Sequence, residues 1–198
     1  MSSCTYVSRG GLKLEAALDA FAISVCDKSC ADLGCNVGGF TDCLLQRGSA
    51  RVYAVDTGYG PFAWKLRQDD RVVVLERINA LYLDPALLDG FTGCDLVTID
   101  LGWTRQQWAV PAAMRWLEKS GASGRIITLI KPHYEVDRAL LKKGVLDDHV
   151  AEQVAHQVMD GMTHLGAKVL SHIRSPIRGG AGKNRAGNIE FLALLQRA

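Results

Sequence analysis

The sequence lacks the cysteine patterns that mark zinc sites and disulfide-rich domains. Its six cysteines include no Cys-x-x-Cys pair, and they do not cluster with the five histidines at the spacing of zinc ligands. We therefore expect no metal site. The chain also lacks a signal peptide and any apolar run near the roughly 18 residues that a membrane-spanning helix needs. These absences predict a cytoplasmic protein with reduced thiols and no membrane partner.

A large excess of charge of either sign is missing as well. The 23 lysines and arginines nearly balance the 21 acidic residues, so the net charge is +2. Total charge therefore indicates no particular partner, and the distribution of charge has to be considered instead. The stretch between Gly161 and Ile189 has no acidic residue. Its basic residues are Lys168, Arg174, Arg178, Lys183 and Arg185. They form either a nucleic-acid-binding surface or an ordinary solvated face.

The residues that are present have the composition of a folded domain. Hydrophobic residues make up 48% and charged residues 22% of the 198 positions, which excludes a disordered chain. No internal repeat or low-complexity tract divides the sequence. We expect residues 1–198 to form a single domain.

Short apolar runs rich in Val and Ile alternate with segments of helical periodicity. Five of these runs predict buried parallel strands: Ser29–Leu33, Arg51–Val55, Val72–Leu75, Leu96–Ile99 and Arg125–Ile130. Helices are predicted at Gly11–Ile23, Thr41–Gln46, Gln107–Lys119 and Asp148–Leu165. The last two predicted strands, which should pair antiparallel, are Lys168–Ile173 and Asn188–Leu195. The alternation predicts an α/β fold with a doubly wound, mostly parallel seven-stranded sheet and an antiparallel end strand, with ligands outside the carboxyl ends of the central strands.

A glycine-rich loop follows the first strand and leads directly into a helix. Gly34, Gly38 and Gly39 allow a ligand to approach the backbone closely. Asp56 ends the second strand, where a carboxylate can bind both hydroxyls of a ribose. The glycine spacing differs from the dinucleotide fingerprint, and Asp32 favours a cationic or amino-bearing ligand over a phosphate. The loop therefore indicates a nucleoside-bearing cofactor such as S-adenosylmethionine (SAM), with a tight turn that binds nothing as the alternative.

Seven sequence blocks occur in order along nearly the whole chain. They are Tyr6–Leu14, Asp32–Asp42, Val55–Gly60, Trp64–Arg67, Val97–Asp100, Leu129–Pro132 and Gly187–Phe191. Together they resemble the FtsJ/TlyA-like family of SAM-dependent ribose 2′-O-methyltransferases, most closely its TlyA, or hemolysin A, branch. The resemblance implies a Rossmann-like methyltransferase fold, SAM as the cofactor, and the 2′-hydroxyl of an RNA as the methyl acceptor, with ribosomal RNA as the expected substrate and partner.

The resemblance also implies a catalytic tetrad of alternating Lys and acidic residues. The matching positions are Lys13, Asp100, Lys131 and Glu190. A ribose hydroxyl is a poor nucleophile until a base takes its proton, and Lys131 has that role in the implied mechanism. Lys13 would favour the neutral form of Lys131, whereas the two carboxylates, which would hold the two amino groups, oppose it, so the sequence leaves the direction of the net effect open. Taken singly, each of the four is as readily an ordinary surface charge or half of a salt bridge.

The resemblance assigns further residues to ligands. The cofactor set comprises Asp32, Gly34, Gly38, Gly39, Phe40, Asp56, Asn79 and Asp100, with the glycines under the methionine part, Asp56 at the ribose and Asn79 near the adenine. The residues expected to hold RNA are Arg9, Arg174, Arg178, Lys183 and Arg185. His133 and Tyr134 either stack on a base or pack their loop. Trp103 either stacks on a base or fills an apolar gap.

Two departures from the family pattern leave the substrate open. Longer family members carry an RNA-binding domain before the catalytic one, whereas this chain begins at the catalytic block, so we expect its own surface or a partner to hold the RNA. The segment Asp100–Thr104 reads Asp-Leu-Gly-Trp-Thr, whereas the TlyA branch usually has a Ser-Phe pair after the Asp. The alternatives are a non-catalytic SAM-fold protein that binds RNA and a methyltransferase for a small molecule. A nicotinamide oxidoreductase fits less well. The oligomeric state stays open.

Overall fold

A computed structural model describes residues 5–117, 124–180 and 187–198 of the chain. The helices are α1 (Gly10–Ala20), α2 (Gly39–Gln46), α3 (Trp64–Arg67), α4 (Gln106–Met114), α5 (Pro132–Glu135) and α6 (Asp148–Asp160). The strands are β1 (Ser29–Leu33), β2 (Arg51–Val55), β3 (Val72–Leu75), β4 (Leu96–Ile99), β5 (Arg125–Ile130), β6 (Ala167–Arg174) and β7 (Phe191–Arg197). None of the helices in these three ranges is long and apolar enough to cross a membrane.

The strands form one sheet whose centre is parallel. Their order is β3-β2-β1-β4-β5-β7-β6. The strands β1 to β5 are parallel to one another, whereas β7 lies between β5 and β6 and pairs antiparallel with both. This arrangement confirms the predicted α/β fold and the antiparallel pairing of the last two strands. The order reverses between β1 and β4, which is where open α/β sheets usually bind ligands.

Helices cover both faces of the sheet and bury it. On one face, α1 and α2 contribute Leu14, Leu18 and Leu44 to an apolar cluster. On the other face, α4 and α6 contribute Val110 and Ala155 to a second cluster. The apolar stripe of α1 follows the helical spacing that the sequence shows. Because both faces are covered, the ends of the strands are where the sheet is open to a ligand.

The predicted limits of β1 to β5 agree with the structure, whereas several helix ends differ. Helix α1 ends before the predicted Ile23, because Ala22 adopts a positive φ of 52°. Helix α4 ends at Met114 instead of the predicted Lys119. Beyond its end, the carbonyl of Trp116 accepts a hydrogen bond from the N–H of Cys94. The strand predicted from Asn188 begins at Phe191, because Asn188 instead forms an isolated bridge with Gly179.

Candidate active site

A cleft of about 800 Å³ opens at the carboxyl ends of the parallel strands. This volume lies within the usual range of sites that hold a small molecule or cofactor. The segments that follow β1 to β6 line it, together with α1 and the residue before β7. Seven residues predicted from the sequence line this one cleft: Lys13, Gly34, Asp56, Asn79, Asp100, Lys131 and Glu190. We call it the catalytic cleft.

The four residues of the expected tetrad meet in the catalytic cleft as two ion pairs. Lys13 Nζ lies 2.5 Å from Glu190 Oε2, and Lys131 Nζ lies 2.5 Å from Asp100 Oδ1. Each residue reaches the cleft from a different element. Asp100 follows β4, Lys131 follows β5, and Glu190 precedes β7, whose antiparallel direction puts its start at the same sheet edge. Lys13 comes from α1, which crosses over this edge.

The surroundings of Lys131 fix the position of its amino group. Besides the Asp100 carboxylate, Nζ donates to the backbone carbonyls of Asp100, at 3.4 Å, and of Leu101, at 3.2 Å. The Lys131 side chain is only 13% exposed. The amino group is therefore aimed at the loop after β4 instead of pointing into solvent.

Burial and the two lysines shape the electrostatics of the neighbouring groups. Burial raises the pKa of Glu190, and the ammonium groups of Lys13 and Lys131 oppose this shift. Burial also lowers the pKa of His133 to about 4, and the charges of Lys131 and Lys13 act in the same direction. His133 is therefore neutral near pH 7. Its Nδ1 atom is buried and has no hydrogen-bond partner among the described residues.

The glycine-rich loop brings the backbone of β1 against that of β4. Gly34 has a φ of +93°, and a Cβ atom there would lie 2.7 Å from the carbonyl oxygen of Asp100. Only glycine fits this close approach. The loop continues to Asn36, whose N–H donates to Asp56 Oδ2 at 2.9 Å. Gly34 thus brings the glycine-rich loop against the backbone of Asp100, which supplies one of the two carboxylates of the expected tetrad.

Asp56 is held in place by two backbone donors. Asn36 N–H binds Oδ2, and Gly58 N–H binds Oδ1 at 2.7 Å. Each carboxylate oxygen keeps a further lone pair, so the group can still accept hydrogen bonds from two hydroxyls of a ribose. Sequence reasoning found Asp56 but missed Asn36 and Gly58, because backbone donors leave no signal in residue type. Asn79 is exposed in the same cleft, and its Oδ1 accepts from Leu81 N–H.

Asp32 does not lie in the cleft, which corrects the prediction that it contacts the ligand. Its side chain is fully buried, and it accepts hydrogen bonds from the hydroxyls of Thr41, at 2.7 Å, and Thr98, at 3.1 Å. Burial raises the pKa of Asp32 to about 7, against the effect of the Thr41 hydroxyl. Asp32 therefore ties α2 to β4 beneath the glycine-rich loop, and it supports the site from below.

The remaining loop residues divide between the core and a smaller pocket. A Cβ atom on Gly38 would meet the side chains of Leu66 and Phe62, so this position requires glycine for packing. Gly39 and Phe40 line a pocket of about 240 Å³ that shares Lys13, Gly34 and Asp100 with the catalytic cleft. These two residues lie next to the cleft that holds the tetrad, in a compartment that opens beside it.

Three of the predicted RNA-binding residues, Arg9, Arg174 and Arg178, lie in the described part of the chain. Arg9 and Arg178 line the smaller pocket, whereas Arg174 lines neither it nor the catalytic cleft. Arg178 donates to both carboxylate oxygens of Asp148, which lies at the start of α6. Arg174 lies 3.4 Å from Glu152. These contacts reduce the positive field of both arginines. Lys183 and Arg185 lie outside the described residues.

An aromatic group lies at the mouth of the catalytic cleft. Trp103 is 75% exposed, so it does not fill an apolar gap. Its ring centroid is 4.8 Å from that of Tyr134, with 30° between the planes. Tyr134 also lies against His133 at 4.2 Å, and Lys131 Nζ is 5.7 Å from the Tyr134 ring centre. The aromatic rings and the tetrad are therefore neighbours.

Comparison with known families identifies the family of this chain. The model of the FtsJ-like methyltransferase family matches residues 6–188. The chain belongs to the FtsJ-like methyltransferase family. This confirms the resemblance stated from the sequence blocks, and it confirms SAM as the cofactor.

Relatives within the FtsJ-like family match nearly the whole chain. YqxC of Bacillus subtilis is 45% identical over 94% of this chain, which spans 64% of the length of YqxC. The 16S/23S rRNA (cytidine-2′-O)-methyltransferase TlyA of Mycobacterium tuberculosis is 38% identical over 98% of this chain and 70% of its own. A solved structure from Streptococcus thermophilus, of a protein designated a hemolysin, is 39% identical and has a TM-score of 0.88. That match covers all of this chain and 69% of the other.

The residues of the catalytic cleft fit the cofactor of this FtsJ-like protein. Gly34 leaves room for close contact with the loop backbone, and Asp56 is preset to accept from ribose hydroxyls. Asp100 is a carboxylate at the centre of the cleft, which suits a cationic sulfonium nearby. The space beyond these groups is large enough for part of a second, nucleoside-sized molecule.

Proposed function

We propose that the protein transfers the methyl group of SAM to a ribose 2′-hydroxyl of ribosomal RNA. The observation that carries this proposal is the meeting of two ion pairs, Lys13 with Glu190 and Lys131 with Asp100, in the catalytic cleft. The FtsJ-like family match and the activity in the name of the TlyA relative support the reaction and the substrate class. Such a substrate implies that the protein works in the cytoplasm.

The cofactor would be held along the strand ends. Gly34 would contact its methionine part, Asp56 its ribose hydroxyls and Asn79 its adenine, and all three residues line the catalytic cleft. When bound, SAM supplies an electrophilic methyl group on a sulfonium. Gly38 and Asp32 act on this site indirectly, through the packing and the hydrogen bonds beneath the loop.

Lys131 would remove the proton from the ribose hydroxyl. To act as a base, its Nζ atom must be in the neutral amine form when the hydroxyl reacts. The neutral amine would then accept the 2′-hydroxyl proton as that oxygen takes the methyl group, the bond from the methyl carbon to the sulfonium sulfur would break, and S-adenosylhomocysteine would leave. Asp100 and the Leu101 carbonyl keep the nitrogen aimed at the cleft. Glu190 holds Lys13 on the other side, so both amino groups stay in position through the reaction.

A comparison of two lysine variants tests this function. Ribosomal subunits from cells that lack the gene are incubated with methyl-labelled SAM and the wild-type protein, the Lys131→Ala variant or the Lys28→Ala variant. Lys28 is a matched control because it also pairs with an aspartate, Asp95, but lies at the opposite end of β1. We expect label in ribosomal RNA with the wild type and the control, and a loss of about 100-fold or more with Lys131→Ala.

A measurement of SAM binding distinguishes a loss of catalysis from a loss of cofactor affinity. Calorimetric titration with SAM should give affinities within a few fold for all three proteins, since Lys131 is not assigned to the cofactor. Undiminished transfer by Lys131→Ala would remove Lys131 from the role of base. No label in RNA with the wild type, despite normal SAM binding, would exclude ribosomal RNA as the substrate.

A further inference from the structure

A second groove adjoins the catalytic cleft on the far side of its aromatic mouth. It has a volume of about 690 Å³. Trp103, His133 and Tyr134 line both compartments and therefore form the wall between them. We call this second compartment the flanking groove. Arg138 and Lys143 line the flanking groove and not the catalytic cleft, so the two compartments can be changed separately.

The wall is built from an aromatic residue in an uncommon backbone conformation. Trp103 has a φ of 57°, in the left-handed region that bulky side chains rarely adopt. Its indole is 75% exposed and stacks on Tyr134, and the guanidinium carbon of Arg138 lies 5.4 Å from the centre of its ring. The backbone thus presents a large apolar ring to solvent at the point where two compartments meet. Strained positions of this kind concentrate at binding sites.

The flanking groove combines an apolar floor with a positive rim. Val136 and Leu141 supply the floor. Arg105, Arg138 and Lys143 supply the rim, and Asp137 is the acidic residue among the residues that line it. Asp137 already accepts from Ala139 N–H. An occupant that complements this groove has one flat or apolar part and one negative part, which is the chemistry of a nucleotide.

We propose that the flanking groove binds an unpaired nucleotide of the RNA, adjacent to the nucleotide that is methylated. This inference rests on the proposed function. The base packs against the wall and the apolar floor, and its phosphate lies near Arg138 and Lys143. The two compartments are separated by one layer of aromatic side chains, so consecutive nucleotides enter them on opposite sides of a ring. That arrangement requires the two bases to be unstacked from each other, which single-stranded or locally opened RNA permits and a duplex does not.

Charge reversal at the rim tests the groove. The probe is a fluorescein-labelled, ten-nucleotide single-stranded oligocytidylate, and its binding is followed by fluorescence anisotropy. We compare the Arg138→Glu/Lys143→Glu variant with a matched control, Lys142→Glu/Lys168→Glu. The control makes the same charge change at exposed residues that do not line the groove. We expect the rim variant to bind at least tenfold more weakly than the control. Its salt slope should be smaller by about 0.7, the value for one phosphate contact on a single strand.

Substitution of the wall separates stacking from charge. Trp103→Phe retains a flat ring and should bind the oligonucleotide within about threefold of the wild type, whereas Trp103→Ala should bind it roughly tenfold more weakly. Titration with SAM serves as the measure of folding, and the affinity for SAM should be unchanged in the rim variant. Equal RNA affinity of the rim variant and its control would overturn the proposal. Equal binding of a ten-base-pair RNA duplex would also overturn it.

Failure of the groove and failure of the function give different results. If the wild type labels ribosomal RNA and the rim variant does so with the same KM as its control, the function stands and the groove assignment is wrong. If the wild type labels no ribosomal RNA, the function is wrong. In that case the oligonucleotide comparison still decides whether the groove binds an unpaired nucleotide.

Discussion

Asp32 and Glu190 are both buried carboxylates at the same edge of the sheet, yet their partners give them different roles. Asp32 is surrounded by two threonine hydroxyls, and burial raises its pKa to about 7. Glu190 faces the ammonium group of Lys13, which opposes the rise in its pKa. A buried carboxylate without a cation tends to hold a proton, whereas one beside a cation stays ionised. Asp32 therefore has a structural role, whereas Glu190 belongs to the proposed tetrad.

The raised pKa of Asp32 predicts how stability changes with pH. Between about pH 4 and pH 7 the folded protein holds a proton on Asp32 that the unfolded chain has lost, so this contribution to stability falls as pH rises. The variant Asp32→Asn cannot titrate there. We expect the stability advantage of the wild type over Asp32→Asn to shrink between pH 4.5 and pH 7.5, by at most about 1.4 kcal/mol per pH unit. Urea denaturation at a series of pH values measures this difference in stability. A wild-type advantage that grows with pH would contradict the raised pKa of Asp32.

The sequence predicted which charged residues reach the cleft better than it predicted which contact a ligand. Asp100 and Lys131 directly follow parallel strands, and the ends of such strands meet at one edge of the sheet. Asp32, in contrast, lies inside β1, one residue before the end of the strand, where it pairs in register with Thr98 of β4. The direction of its side chain depends on that neighbouring strand and on Thr41 of α2. Neither contact can be read from a loop motif.

At the scale of elements, the loop between β1 and α2 and the loop after β4 act together. Their backbones meet at Gly34 and Asp100, so a change in one loop moves the other. The strand limits were predictable because buried parallel strands are continuous apolar runs. Helix ends were less predictable, because they depend on local backbone conformations such as the positive φ of Ala22. The position of β7 between β5 and β6 depends on long-range pairing that the sequence pattern does not specify.

A pair of glycine variants tests the coupling of these loops. Gly34→Ala places a Cβ atom 2.7 Å from the Asp100 carbonyl oxygen, whereas Gly90→Ala, at a φ of +65°, meets nothing within 4 Å. The left-handed backbone lowers the free energy of unfolding of both alanine variants by about 1 kcal/mol. Only Gly34→Ala also shifts the cleft, so its affinity for SAM should fall at least tenfold, while Gly90→Ala binds as the wild type does. Calorimetric titration with SAM measures both affinities. Equal affinities would show that the close approach of Gly34 to the Asp100 carbonyl does not affect the cofactor site.

At the scale of the whole molecule, the net charge of +2 hides an uneven distribution. Arg9 and Arg178 line the smaller pocket beside the tetrad, and Arg138 and Lys143 line the flanking groove on its other side. The catalytic cleft thus has basic residues on both flanks, although no single basic stretch of the sequence supplies them. This is the distribution expected for a backbone that passes across the cleft.

Charge reversal at the smaller pocket tests this distribution. Arg9→Glu/Arg178→Glu should bind ribosomal RNA more weakly than the wild type, with a salt slope smaller by about one to two, because two phosphate contacts are lost. The control Lys28→Glu/Lys168→Glu reverses two exposed charges away from the cleft. Filter binding over a range of salt concentrations gives both slopes. If the two variants have the same slope, the smaller pocket does not carry the RNA backbone.

The chemical position of the transferred methyl group tests the proposed reaction most directly. Ribosomal RNA labelled by the wild-type protein with methyl-labelled SAM is hydrolysed completely with alkali, and the products are separated by length. Alkaline cleavage needs a free 2′-hydroxyl, so a methyl group on that oxygen protects the adjacent phosphodiester bond. We predict that the label is recovered in alkali-resistant dinucleotides and is lost from the Lys131→Ala reaction. Label in mononucleotides would show methylation of a base and would contradict a ribose 2′-O-methyltransferase.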